Sequence, residues 1–304
     1  MKRTLVAWGE GYLYRPSLIQ KLLALILLPL SGVYCLLAYL RYRRSTPKNF
    51  GIPIVSVGNL TVGGSGKTPL IISLAHHFAQ PAIILRGYGR KSVGMLVVKD
   101  HTGIRCDIAN SGDEAMLYAT TVPHAIVIVS EKRETAIEHA KRMGCEMIFL
   151  DDGYGKHAIQ KLDLLIMVET PNKFCLPSGA YREVQWHSKK VFTLEEGSDF
   201  TRHVTITDPT ANMVLVTAIA RPQRLDAYLP LGIEKYYFED HHFFTYEELH
   251  TILATTHATS LLVTHKDWVK MSSFTLPLSL LNLTLELDET LITTVKEYVY
   301  AKKD

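Results

Sequence analysis

An apolar stretch at residues 52–57 runs into a glycine-rich turn and then into Gly66-Lys67-Thr68-Pro69, and this pattern constrains the chain more than any other. The strand, the flexible turn and the helix with proline in its first turn form the local plan of a phosphate-binding loop. Glycines at 58, 63, 64 and 66 let backbone N–H groups converge on phosphate oxygens without a β-carbon in the way. The helix start adds unpaired donors and its dipole. The loop Thr61-Val62-Gly63-Gly64-Ser65-Gly66-Lys67-Thr68 is therefore expected to hold a nucleoside triphosphate. Lys67 reaches the β- and γ-phosphates, and the Thr68 hydroxyl faces Mg2+. Thr61 occupies a slot that usually holds glycine.

A phosphate loop needs a carboxylate at the end of a neighbouring strand. Met147-Ile148-Phe149-Leu150-Asp151-Asp152-Gly153 has that form, with Asp151 expected at Mg2+ and Asp152 beside it; a solvated acidic turn is the alternative. Short apolar runs at 82–85, 125–129, 147–150 and 164–168 read as further buried strands, separated by helices at 69–79, 112–119 and 131–142. Such alternation predicts an α/β fold with a mostly parallel sheet covered on both faces. A second, smaller α/β set follows: strands at 213–219, 235–238, 261–263 and 283–287, and helices at 246–256 and 288–301. The polar stretch 193–210 reads as a hinge. The expected division is 1–46 membrane-associating, 47–195 phosphate-loop domain, 196–210 linker and 211–304 closing domain.

Composition matters most at the N-terminus. Formal net charge is +3 over 304 residues, yet Lys2, Arg3, Arg15, Lys21, Arg41, Arg43, Arg44 and Lys48 face Glu10 alone in the first 48. A basic end on a net acidic body suits anionic lipid headgroups better than a nucleic-acid groove. Residues 22–40 carry no charge, and a span needs about 20 apolar residues. Pro29 and Gly32 favour a kink, and equally basic flanks give no orientation by the positive-inside rule. The expectation is a bent, shallow insertion with both ends on one side. Cys35, Cys106, Cys145 and Cys175 form no C-x-x-C pair, so neither a disulfide framework nor a zinc knuckle is expected, and a reducing cytoplasm fits.

Other acidic and imidazole groups are weak signals singly. Gly112-Asp113-Glu114 opens a helix, where acids also simply complement the dipole. Asp240-His241-His242 ends an aromatic strand without the further ligands that zinc requires. Thr264-His265-Lys266-Asp267 is not the guanine-recognition Asn-Lys-x-Asp, because its lysine is displaced by one position.

Together, residues 57–69, Arg86-Gly87-Tyr88-Gly89-Arg90, Gly112-Asp113-Glu114, Asp151-Asp152-Gly153, Leu176-Pro177-Ser178-Gly179-Ala180-Tyr181-Arg182-Glu183, Asp240-His241-His242 and Thr264-His265-Lys266-Asp267 resemble the lipid A (tetraacyldisaccharide) 4'-kinase family. They occur in family order and cover most of the chain, and threonine in the first loop slot is the family form. The resemblance implies transfer of the ATP γ-phosphate to the 4'-hydroxyl of a tetraacylated disaccharide 1-phosphate, a lipid A precursor. It places the enzyme on the cytoplasmic face of a bacterial inner membrane, acting as a monomer and without nucleic acid. By position it implies Asp113 and His241 as the catalytic dyad with Lys67, and Thr68, Glu114 and Asp151 around Mg2+. Asp152, Asp240, His242 and Arg90 would support them. The family's Asp-Asp-Gly-x-Gln-His is here Asp151-Asp152-Gly153-Tyr154-Gly155-Lys156-His157, so His157 receives no role. The rival readings are a membrane-attached phosphate-loop ATPase with water as acceptor, and a lipid-binding scaffold with a relic nucleotide site.

Overall fold

The structure, a computed structural model, describes residues 2–186 and 188–301. Residues 1, 187 and 302–304, including both ends of the expected domain plan, lie outside the described residues, as do the side chains of residues 2–7, Lys2 and Arg3 among them.

Three helices lead the chain: α1 (Lys2–Tyr14), α2 (Leu18–Ile26) and α3 (Leu28–Arg44). Ser17 caps α2 through a reciprocal box with Gln20. The expected kink is present, but it falls at Leu27, and α2 and α3 meet at 57°. Pro29 sits in the first turn of α3, where a missing N–H costs nothing, while Gly32 is absorbed inside the helix. No single helix among the described residues is long and apolar enough to cross a membrane.

A large sheet follows, built from β1 (Ile54–Gly58), β2 (Pro81–Leu85), β3 (Leu96–Asp100), β4 (Gly103–Ile104), β5 (Ile126–Val129), β6 (Met147–Asp151), β7 (Leu162–Ile166) and β8 (Val191–Leu194). Its order is β4-β3-β5-β2-β6-β1-β7-β8. Only β3 runs against the other strands, near one edge, pairing antiparallel with both β5 and β4. Central strands are apolar at successive positions because helices cover both faces. On one face lie α4 (Lys67–Ala75) and α6 (Asp113–Thr121), preceded by the single turn α5 (Ile108–Ser111). On the other lies α7 (Arg133–Arg142).

The second sheet has the order β11-β10-β12-β13-β9, from β9 (Phe200–Thr207), β10 (Met213–Thr217), β11 (Glu234–Tyr237), β12 (Ser260–Thr264) and β13 (Leu278–Leu287). Helices α8 (Tyr246–Thr256) and α9 (His265–Met271) pack with it, and α10 (Glu289–Tyr300) ends the described chain. This is a mixed α/β fold with parallel sheets. The stretch read as a linker holds β9, which alternates partly buried and exposed side chains and pairs antiparallel with β13 over eight residues. Its polar residues occupy the outward positions of a strand, so low hydrophobicity misread it. Leu285 on β13, Phe200 on β9 and Leu291, Val295 and Val299 on α10 belong to the core of the large sheet. The last helix therefore returns to the first unit rather than closing the second.

Candidate active site

Register places the chemistry. Val57 at the end of β1 pairs with Asp151 at the end of β6, so the glycine loop and the acidic pair open on one sheet edge. Gly66, at φ 91°, is the N-cap of α4 and carries no side-chain cap, which leaves the helix start open to an anion. Gly63, at φ 85°, also needs the left-handed region. The first two loop positions are already used. Asn59 donates to the Thr61 carbonyl and hydroxyl oxygens, and the Val62 N–H donates to Ala180 O at 3.0 Å. Residues Gly63–Thr68 are the ones that face the cavity.

Lys67 Nζ donates to Asn59 Oδ1 at 3.1 Å and lies 3.5 Å from Asp152, which also pairs with Arg182. Burial raises the Asp152 pKa, but Lys67 and Arg182 outweigh it and hold the carboxyl below its usual value. Asp151 behaves oppositely. Burial first, then the charges of Glu114 and Asp152, push it up to about 7 against Lys67. Its Oδ2 accepts from the buried Tyr118 hydroxyl at 3.1 Å, with the Thr68 side chain close to that hydroxyl, and its Oδ1 is buried without a hydrogen-bond partner. Thr68, Glu114 and Asp151 thus gather round one negative, under-satisfied spot.

Across the cleft, His241 Nδ1 lies 2.9 and 2.8 Å from the two oxygens of Asp113. Asp113 is buried at the first residue of α6, while His241 faces the cavity with φ 64°. Lys266 stands 3.7 Å from Asp113, 3.8 Å from Glu114 and 3.2 Å from Asp240. Burial works against charge on both partners, yet His241 and Lys266 hold the Asp113 pKa below its usual value, and Asp113 holds His241 above it. His241 and Lys266 line the same cavity of about 1120 Å³ as the glycine loop and Asp151, and Asp113 stands behind the imidazole.

Several expected residues serve elsewhere. His242 Nε2 binds Glu248 at 2.9 Å, within the capping box that starts α8, and stacks on Phe238. Arg90 pairs with Glu131 and Ser92 and stays off the cavity lining; it holds the 86–94 loop, whose Tyr88 ring lies 5.3 Å from His241. His157 is buried against Tyr42 and Tyr154, with burial and then Lys189 and Lys161 lowering its pKa to about 3. A β-carbon at Gly155 would sit 2.2 Å from Glu183 Oε1, so a larger residue there would displace that carboxylate.

Other cleft residues escaped sequence reading. Arg182 and Lys266 lay inside quoted motifs without a role. Tyr118, Arg133, Arg202, Arg221 and Arg224 carried no sequence signal, since their partners are distant in the chain. Asp267, buried, bonds Thr217, Ala218 N and Thr264 and staples β10 to α9, while Thr264, His265 and Lys266 of that motif line the cavity. The disulfide expectation also changes. Cys35 of α3 and Cys175 are joined although 140 residues apart, too far for any spacing rule to reveal. Around that link, segment 175–183 ties the N-terminal helices to the loop: Ser178 N donates to Ser31 Oγ, Tyr34 donates to Arg182 O, and Arg41 pairs with Glu183.

Comparisons with known proteins agree with this arrangement. The family described as tetraacyldisaccharide-1-P 4'-kinase (LpxK) matches residues 23–194 and 198–300. Tetraacyldisaccharide 4'-kinase of Aliarcobacter butzleri is 41% identical over 100% of both chains. That of Helicobacter pylori is 42% identical over 95% of this chain and 94% of its own. The Campylobacter jejuni enzyme is 40% identical over 96% of each. A crystal structure of the "apo" form of LpxK from Aquifex aeolicus in complex with ATP aligns with TM-score 0.72 and 25% identity, over 91% of this chain and 100% of that one. With the loop, the acids and the imidazole gathered on one cavity, the chain belongs to the tetraacyldisaccharide 4'-kinase family.

Proposed function

We propose that this chain transfers the γ-phosphate of ATP to the 4'-hydroxyl of a tetraacyldisaccharide 1-phosphate, with the residue roles given below. The observation that carries the assignment of roles is that Lys67 and Asp151 of the first unit and His241 of the second line a single cavity, with the buried Asp113 held against His241 Nδ1. Phosphoryl transfer through a loose transition state asks mainly for positioning and charge neutralisation. The amides of Gly63–Thr68 orient the triphosphate, and Lys67 exchanges Asn59 and Asp152 for phosphate oxygens. The His241–Asp113 pair takes the acceptor proton late, as a unit, with the imidazole facing the cavity and the buried carboxylate fixing its Nδ1.

The residues fit Mg2+. Asp151 has an orphaned buried oxygen, and Thr68 and Glu114 are hard oxygen donors beside it. Among the described residues no set of three or more His, Cys, Asp or Glu could hold a metal ion, so phosphates and water would complete the shell. Bound there, the ion would neutralise charge on the transferring phosphate.

We also assign the enzyme to the cytoplasmic face of a bacterial inner membrane as a shallowly inserted monomer. Leu18, Ile19, Ile26, Leu30 and Leu37 are each more than half exposed on α2 and α3. Burying one such side chain is worth about 1.5–3 kcal/mol, enough in sum to hold a helix pair at a bilayer. Full solubility after carbonate extraction would remove this assignment.

The deciding experiment supplies radiolabelled ATP and the disaccharide lipid in detergent to wild-type and Lys67→Ala protein. Label in the lipid, lost in the variant, supports the kinase. Free phosphate alone supports the ATPase reading, and neither supports the scaffold.

A further inference from the structure

The roles above leave the arginines of the second unit unused. Arg224, in the 3-10 turn Pro222–Tyr228, donates from Nη1 to Gly64 O at 2.8 Å. Arg221, just before the turn, donates to the same oxygen. Arg202 of β9 places Nη2 3.1 Å from where a β-carbon on Gly66 would lie. One neutral carbonyl cannot balance two guanidinium charges. Arg202 has Glu196 at 3.3 Å, but among the described residues no carboxylate forms an ion pair with Arg221 or Arg224. Arg221 instead stacks on the Tyr14 ring at 4.3 Å, with its backbone held at φ 54°. Burial, then the neighbouring Arg221 and Arg202, lowers the Arg224 pKa to about 10. Three cations crowded on a glycine loop and short of anions describe a place for a polyanion.

We propose that Arg224, flanked by Arg202, binds the terminal phosphates of the nucleotide from the second unit. Arg224 lines the same cavity as Gly63–Thr68. Phosphate oxygens offer it charge-assisted, forked hydrogen bonds that a carbonyl does not. An arginine supplied within the same chain is a known source of charge stabilisation in phosphate-loop enzymes. Arg221 is a positioning residue behind it, braced by Tyr14. The inference rests on reading the loop as the ATP site.

Calorimetric titration of the full chain with ATP, ADP and AMP tests it, comparing wild type, Arg224→Ala and Arg224→Lys. Arg224→Ala should weaken ATP binding about 10- to 100-fold and leave AMP binding within about twofold. Arg224→Lys should recover part of the loss, because it keeps the charge but not the fork. Equal ATP affinity in all three proteins overturns the inference while leaving the kinase reading intact. A loss equal for ATP and AMP also overturns it, because the side chain would then only prop the loop. Wild type that binds no ATP overturns the nucleotide reading beneath it.

Discussion

Two buried aspartates of the first unit, Asp113 on α6 and Asp151 on β6, are treated by the protein in opposite ways. Asp113 is met by His241, Lys266 and Lys270, and its carboxyl stays ionised below the usual range. Asp151 is met by Glu114 and Asp152 with Lys67 as its main opposing cation, and its carboxyl rises to about 7. Residue type and burial are alike, so the difference lies in the surrounding charge. A carboxylate already balanced within the protein is ready to steer a proton. One left in excess negative charge is ready for a cation from outside.

The largest test of that contrast removes the balanced member. Asp113→Ala should lower turnover by about two to four orders of magnitude in a folded protein, measured with saturating lipid and ATP. Wild-type turnover would end its assignment to the dyad.

Asp151→Asn probes the other side through stability. A carboxyl whose folded pKa is raised costs stability once ionised; the cost is complete above about pH 7 and gone near pH 4. Without Mg2+, Asp151→Asn should therefore be more stable than wild type at pH 8, by on the order of 1–3 kcal/mol, and the gain should fade by pH 4. Denaturant titrations at both values would show it. An unchanged difference would mean that Asp151 is not strained by its neighbours.

Lys266→Met should make Asp113 resemble Asp151. With that cation gone, the acidic limb of the rate profile should move up by roughly one pH unit. No movement would place the balancing charge elsewhere.

The smallest effect on stability is expected from His241→Asn. His241 is raised by Asp113, so its contribution to stability is complete below the unfolded value near 6.5 and is lost as pH rises through the folded one. The melting-temperature gap from wild type should be a few degrees at pH 6 and should narrow towards pH 9. A constant gap would mean that the ion pair contributes nothing.

Much of this architecture was legible in the chain. The 52–57 strand, its glycine loop and the strand ending in Asp151 stand where periodicity puts them, because a parallel strand buried on both faces must be apolar at successive positions. The edge strands β3 and β4 and the half-exposed β9 were not seen, because edge and one-sided strands carry polar residues that read as turn or linker. His242 and Arg90 look like site residues by neighbourhood, yet α8 and the 86–94 loop claim them.

The amino-acid order alone determined the glycine-rich loop, the acids beside it and the alternating strand–helix plan, since each depends on contacts within a few residues or on repeated local patterns. Only the tertiary structure decided that His241 meets Asp113 across 128 positions, that Arg224 reaches Gly64 across 160, and that α10 returns to the first core. The reason is physical: charge balance and burial belong to neighbours in space, and those neighbours come from the second unit as single side chains without a periodic signature.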